Sequence, residues 1–263
     1  MAGKPNRDLY QTRPDLYDLM HEDQVDDARF VRDYAATLID GARVIELGCG
    51  TGRLLLPLLE SGASVTGMDR EPAMLKTAAD RLGAYGDRLT LVEGDMTRFE
   101  APGGPFDVAI VGLNTFMHLL TIRSQLACLM CIHQHLRPGG SLMLDLASPH
   151  AALRDTQQGV VLHRFSRPLA DNQAVLVTLW SATVFSTAKQ LAHTTLLFDE
   201  VDGESGAFRR TLSDIVLRLT YRYELEHLLG RAGFTTHALY GDYESSPYED
   251  ESERLICIAA ALA

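Results

Sequence analysis

The chain has 263 residues, of which 46% are hydrophobic and 22% charged, with a net charge of -11. This suits one large globular domain, or one domain carrying an insertion, and argues against disorder. The acidic balance disfavours phosphate backbones and anionic membranes as partners and is compatible with a neutral or cationic small-molecule substrate. No apolar run approaches the roughly 18 residues of a membrane span, the first twenty residues lack a signal-peptide core, and four cysteines make no disulfide framework, so the expected location is cytoplasmic.

Residues 1–20 are polar, with Tyr10 and Tyr17 interleaved and no clear period. Residues 22–40 follow a three-or-four apolar spacing through Val25, Ala28, Val31, Tyr34, Ala35, Leu38 and Ile39, and read as a helix stopped by Gly41. From residue 43 strands and helices alternate: strands at 43–47, 64–68, 89–92, 106–111 and 141–146, helices at 54–59, 72–82 and 122–136. Such alternation predicts a parallel sheet with helices on both faces. Residues 137–140 read as a turn before the fifth strand. Between 158 and 220 the composition shifts to Val, Thr, Leu, Phe and Trp, which predicts an inserted antiparallel β layer with long strands around 175–180 and 192–198. A helix over 223–232 and strands at 234–239 and 255–260 close the chain. The expected organisation is a lid segment at 1–40, a nucleoside-binding core at 41–150, a substrate cap at 151–221 and the core's last helix and strands at 222–263.

The strongest signal is Glu46-Leu47-Gly48-Cys49-Gly50-Thr51-Gly52, where a strand runs into three alternate glycines and then a helix. Glycine lets backbone approach a ligand closely, and the helix N-terminus offers unpaired N–H groups. Nicotinamide enzymes favour a G-x-G-x-x-G spacing that sets a pyrophosphate on the helix. Here the spacing is G-x-G-x-G and Glu46 precedes it. A carboxylate at that place suits a ligand with an ammonium group and a sulfonium centre, as S-adenosylmethionine has. Asp69 ends the second strand, where an acid grips ribose hydroxyls. It also reads as a helix cap. Asp95 and Met96, just past the third strand, fit an adenine amino group and ring, though a plain turn fits as well. The fourth strand empties into a polar stretch ending at His118, at the carboxyl end of the sheet where ligands bind.

In this order, the glycine turn, Asp69, Gly94-Asp95, Phe106-Asp107 and Leu136-Arg137-Pro138-Gly139-Gly140 resemble the class I S-adenosylmethionine-dependent methyltransferases over residues 41–146. The β insertion is similar in layout to bacterial small-molecule N-methyltransferases. The resemblance implies a Rossmann-like seven-stranded, mostly parallel α/β sheet with an N-terminal helical lid. It implies that Gly48, Cys49 and Gly50 line the methionine part of the cofactor. Asp69 would hold the ribose with Arg70 and Met74 nearby, Asp95 and Met96 would face adenine, and Leu113 and Thr115 would border the sulfonium. Tyr17 would reach the cofactor carboxylate.

Methyl transfer to nitrogen or oxygen needs a base when the nucleophile arrives protonated. His118 is the candidate, and its alternative role is a helix-start residue bonded to backbone. Carbon methylation and a catalytically inactive binder are the other readings. Cys128 and Cys131 lack a second pair and follow apolar helical spacing, so no metal is expected. The acidic stretch 242–253 reads as a solvated hairpin, or as a rim attracting a cationic amine. Trp180, Phe185 and Phe198 read as core, or as the wall of an apolar pocket. The lid either closes over the site or exchanges between subunits of a homo-oligomer.

Overall fold

Arg43–Leu47 (β1) buries four residues in succession, as a strand covered on both faces must. Ile45 and Leu47 join one apolar cluster and Val44 another, so the alternation of the strand sorts its residues into two layers. The computed structural model describes residues 9–37, 41–154 and 157–262. Residues 1–8 of the expected lid, and Leu38 and Ile39 of the expected first helix, lie outside the described residues.

Around β1 stand Ser64–Asp69 (β2), Leu89–Glu93 (β3), Phe106–Val111 (β4), Leu136–Ala147 (β5), Phe234–Tyr240 (β10) and Arg254–Ala261 (β11), in the order β10-β11-β5-β4-β1-β2-β3. β11 runs antiparallel to both of its neighbours, and the other pairings are parallel. This is the Rossmann-like seven-stranded sheet that the resemblance implied, built on the parallel core expected from the alternation. The order in which strands are added reverses between β1 and β4, the switch point where such sheets bind ligands.

On one face Asp26–Ala35 (α3), Leu55–Glu60 (α4) and Pro72–Leu82 (α5) contribute Val31, Leu58 and Leu82 to the core. On the other, Ile122–His135 (α6) and Arg222–Arg231 (α8) contribute Leu129 and Leu228. Thr121 caps α6 with a reciprocal capping box to Ser124. Residues 137–140, expected as a free turn, belong to β5. Its register against β4 jumps from Phe106↔Leu136 to Val108↔Ser141, so the extra residues bulge within the ladder.

After Pro149–Arg154 (α7), the insertion forms a separate antiparallel sheet. It comprises Leu162–Leu169 (β6), Asn172–Ser186 (β7), Leu191–Asp202 (β8) and Phe208–Arg218 (β9), in that order. Its inner residues Val177, Leu179, Leu196 and Phe198 are buried against Leu9, Leu16 and Leu19. Those leucines come from Leu9–Thr12 (α1) and Pro14–Met20 (α2), in a segment whose sequence carries no readable period. The helices are short and broken at Pro14, so three leucines scattered over eleven residues reach one face only once the inserted sheet is there to meet them. Phe198 is core, in line with the ordinary role of a strand phenylalanine; burying a side chain of this kind contributes roughly 1.5–3 kcal/mol.

Candidate active site

The turn after β1 is held by the end of β2. The N–H groups of Gly48 and Cys49 both donate to the Met68 carbonyl, at 2.7 and 3.0 Å. The Asp69 carboxylate accepts Gly50 N–H at 2.8 Å and Glu71 N–H at 2.9 Å. One acid therefore shapes the glycine turn and holds the Glu71 N–H just ahead of α5, whose N-cap residue is Glu71 with no side-chain cap, and each of its oxygens keeps a lone pair for a hydroxyl donor. Burial pushes its carboxyl above the ordinary aspartate value, against the pull of those backbone N–H groups. Gly48 has φ +70°, and a Cβ there would stand 2.3 Å from Thr115 Cγ2. Gly52, at φ +84°, admits α5 closely, since a Cβ there would meet Leu82 Cδ1 at 2.7 Å.

These groups open onto a cavity of about 1160 Å³, larger than the roughly 300–1,000 Å³ of a typical single-ligand pocket. Tyr17, Gly48, Gly50, Asp69, Arg70, Met74, Asp95, Met96, Leu113, Thr115 and His118 all line it. Eleven of the twelve residues singled out from sequence thus stand around one space. The twelfth, Cys49, is off the wall. Its Sγ is buried next to Gly67, where an added Cβ would stand 3.0 Å from it, and it belongs to the core with Leu55. Burial raises its thiol pKa well above the usual range.

Glu46 also departs from expectation. It is buried, off the cavity wall, and its Oε2 has no hydrogen-bond partner among the described residues. Desolvation pushes its carboxyl well above the ordinary glutamate value, only partly offset by Arg53. Asp95 is bound to its own turn: its Oδ1 accepts the N–H and hydroxyl of Thr97, both at 2.8 Å. The Thr97 N–H holds its carboxyl below the ordinary value.

The sequence reading missed the far wall. Tyr10 comes from α1, Met20 and His21 from the end of α2, and Asp214 and Leu217 from β9. Tyr10 edges onto the His118 ring with centroids 5.5 Å apart, and its hydroxyl lies 3.4 Å from His118 Nε2. Tyr17 packs beside Gly50, at 3.6 Å from the position of a Cβ there, and tilts over His21 at 4.3 Å. Only the paired tyrosines hinted at this in the sequence, because β9 reaches the pocket through tertiary packing alone. The acidic stretch 242–253, by contrast, contributes no residue to this cavity, and Tyr243 turns inward to donate to Asp145 at 2.9 Å. Cys128 is fully buried in α6, and the Cys131 sulfur contacts Phe99 N–H.

The donor set fits S-adenosylmethionine. A buried carboxylate with spare lone pairs would suit the ribose hydroxyls, the glycine cradle would allow close backbone approach, and the methionines at 68, 74 and 96 would suit an apolar ring. No helix among the described residues is long and apolar enough to cross a membrane.

A family model described as a methyltransferase domain matches residues 44–140. The cypemycin N-terminal methyltransferase of Streptomyces sp is 30% identical over 224 residues, spanning 84% of this chain and 83% of that protein. A S-adenosylmethionine-dependent methyltransferase from Clostridium acetobutylicum ATCC 824 shares the fold at TM-score 0.80 and 17% identity, over 94% of this chain and 97% of that one. S-adenosylmethionine-bound CalS10, an amino pentose methyltransferase from Micromonospora echinaspora, does so at TM-score 0.68 and 24% identity, over 92% and 91%. Similarity of this extent to the cypemycin enzyme, together with the matched methyltransferase domain, places the protein in a family: it belongs to the S-adenosylmethionine-dependent methyltransferases.

Proposed function

We propose that the protein methylates a nitrogen or oxygen of a small metabolite by in-line displacement, with an amine the favoured acceptor. The observation that carries this is the single cavity running from the Asp69 and Gly48 turn, past Leu113–His118, to Asp214 on β9. It has room for a donor and an acceptor together. Its wall bears Asp69, Glu71, Asp95 and Asp214 against one arginine, Arg70, among the described residues, a field that attracts a cationic amine. The net charge of -11 favours such a molecule over a nucleic acid. The cypemycin enzyme is named as an N-terminal methyltransferase and CalS10 as acting on an amino pentose, and both names fit a nitrogen acceptor.

S-adenosylmethionine, when bound, supplies an electrophilic sulfonium methyl. The chain's part is to hold the acceptor in line with it and exclude water, which contributes on the order of 7–11 kcal/mol. Asp69 would hold the ribose, Leu113 and Thr115 would border the sulfonium, and Met96 would pack on adenine. His118 accepts the proton of the attacking N–H or O–H at an imidazole nitrogen, with Tyr10 holding the ring edge-on.

Single-turnover methyl transfer from S-adenosylmethionine to a panel of aliphatic amines, amino sugars and phenols tests this reading. Amines should be methylated, and His118→Asn should lower the rate about 10²-fold while leaving S-adenosylhomocysteine affinity unchanged. Full turnover by His118→Asn would remove the base assignment. Tight S-adenosylhomocysteine binding with no acceptor turned over would favour a carbon acceptor or a non-catalytic binder.

A further inference from the structure

The turn that carries Leu113 and Thr115 to the cavity wall uses backbone that its residues rarely adopt. Leu113 has φ 40° and Asn114 φ 67°. Two consecutive residues with a β-carbon persist in the left-handed region only where their surroundings over-determine them. The groups that do so stand behind the wall: Asp145 on β5, Arg254 at the start of β11, and Tyr243 in the loop between β10 and β11.

Asp145 Oδ2 accepts Leu113 N–H at 3.1 Å and the Tyr243 hydroxyl at 2.9 Å. Its Oδ1 accepts Arg254 Nε at 2.9 Å and Nη2 at 2.5 Å. The Asp145 backbone carbonyl takes Asn114 N–H at 2.9 Å. Asn114 Oδ1 accepts Ala147 N–H at 2.6 Å and Arg254 Nη2 at 3.2 Å. The Asp145 and Arg254 side chains are only 7% and 15% exposed, so water competes little for these bonds. Neither these two nor Tyr243 lines the cavity. The next residue, Thr115, abuts Gly48 so tightly that no Cβ fits there. The network therefore also sets the wall against which the glycine turn rests.

We propose that Asp145, Arg254 and Tyr243 are positioning residues of the donor site. They hold the left-handed Leu113–Asn114 turn so that Leu113 and Thr115 meet the sulfonium end of the cofactor. The proposal rests on the reading of those two residues as donor-site wall.

The test is calorimetric titration of S-adenosylhomocysteine into wild type, Tyr243→Phe, Arg254→Met and Arg254→Lys. It is run well below each protein's unfolding temperature, with amide hydrogen exchange followed at Leu113, Asn114 and Thr115. Tyr243→Phe removes one hydroxyl and should weaken binding about tenfold, the worth of one hydrogen bond to a charged acceptor. Arg254→Met should weaken it further, Arg254→Lys should recover part of the loss, and exchange at the three amides should speed up in step. If Arg254→Met fails to fold, Tyr243→Phe and Arg254→Lys still decide the matter. Lower unfolding temperatures with unchanged affinity and exchange would make the network a stability element only and overturn the proposal. Absence of binding in wild type would instead overturn the donor-site reading beneath it.

Discussion

At Gly48 two constraints coincide, a φ of +70° and a Cβ position 2.3 Å from Thr115 Cγ2. Gly48→Ala should therefore cost about 1–3 kcal/mol of stability in urea unfolding and weaken S-adenosylhomocysteine binding. Adding Thr115→Ser, which deletes the opposing methyl, should return the steric part of that loss and leave the backbone part. A single mutant with wild-type stability and affinity would mean that the turn shifts freely. The need for glycine here was legible from spacing alone, and so was an acid beside the turn at the end of the second strand, although the sequence left ribose holding and helix capping both open for Asp69. The direction of Cys49 was not legible. Its neighbours in the chain say that it sits in the turn, but only the packing of Gly67 and Leu55 around its sulfur turns it into the core.

Arg13, between α1 and α2, forks onto Glu200 of β8 at 2.7 and 2.8 Å and onto Asp15. It pins the N-terminal helices to the inserted sheet. Its side chain and that of Glu200 are 17% and 9% exposed, and removing one partner strands the other's charge. Arg13→Met should cost about 3 kcal/mol and expose the N-terminal segment to limited proteolysis. Unchanged urea midpoints and cleavage patterns would show that Leu9, Leu16 and Leu19 suffice to hold the segment. On the core side Asp18 takes the Thr51 hydroxyl at 2.6 Å and Arg81 at 2.6 Å, so the same helices join both sheets. The elements of the core were readable because its helices bury one face with a three-or-four spacing and its central strands are short, mostly apolar runs. The N-terminal pair was not, because four- and seven-residue helices are too short to display one.

Across the molecule, the buried acid Glu46 makes stability depend on pH. In the unfolded chain it loses its proton near 4.5, while burial keeps it protonated to well above that in the fold. The folded state then binds more protons, so its contribution is fully present below the unfolded value and is lost as pH rises through the folded one, at about 1.4 kcal/mol per unit. Ligand-free protein should accordingly become less stable as pH rises above about 5. Glu46→Gln should flatten the slope without abolishing it, since Asp69 is shifted in the same direction. Parallel urea profiles for the two proteins would contradict this. The sequence by itself determined the sheet, its strand–helix alternation, the glycine turn and the acid that ends the second strand, because each is written in local spacing and backbone preference. Tertiary structure alone decided which side of the turn Glu46 occupies, that β9 and α1 complete the cavity, and that Asp145 and Arg254 meet behind it. Those relations join residues as far as 204 positions apart, and they arise from burial and charge pairing that local spacing does not encode.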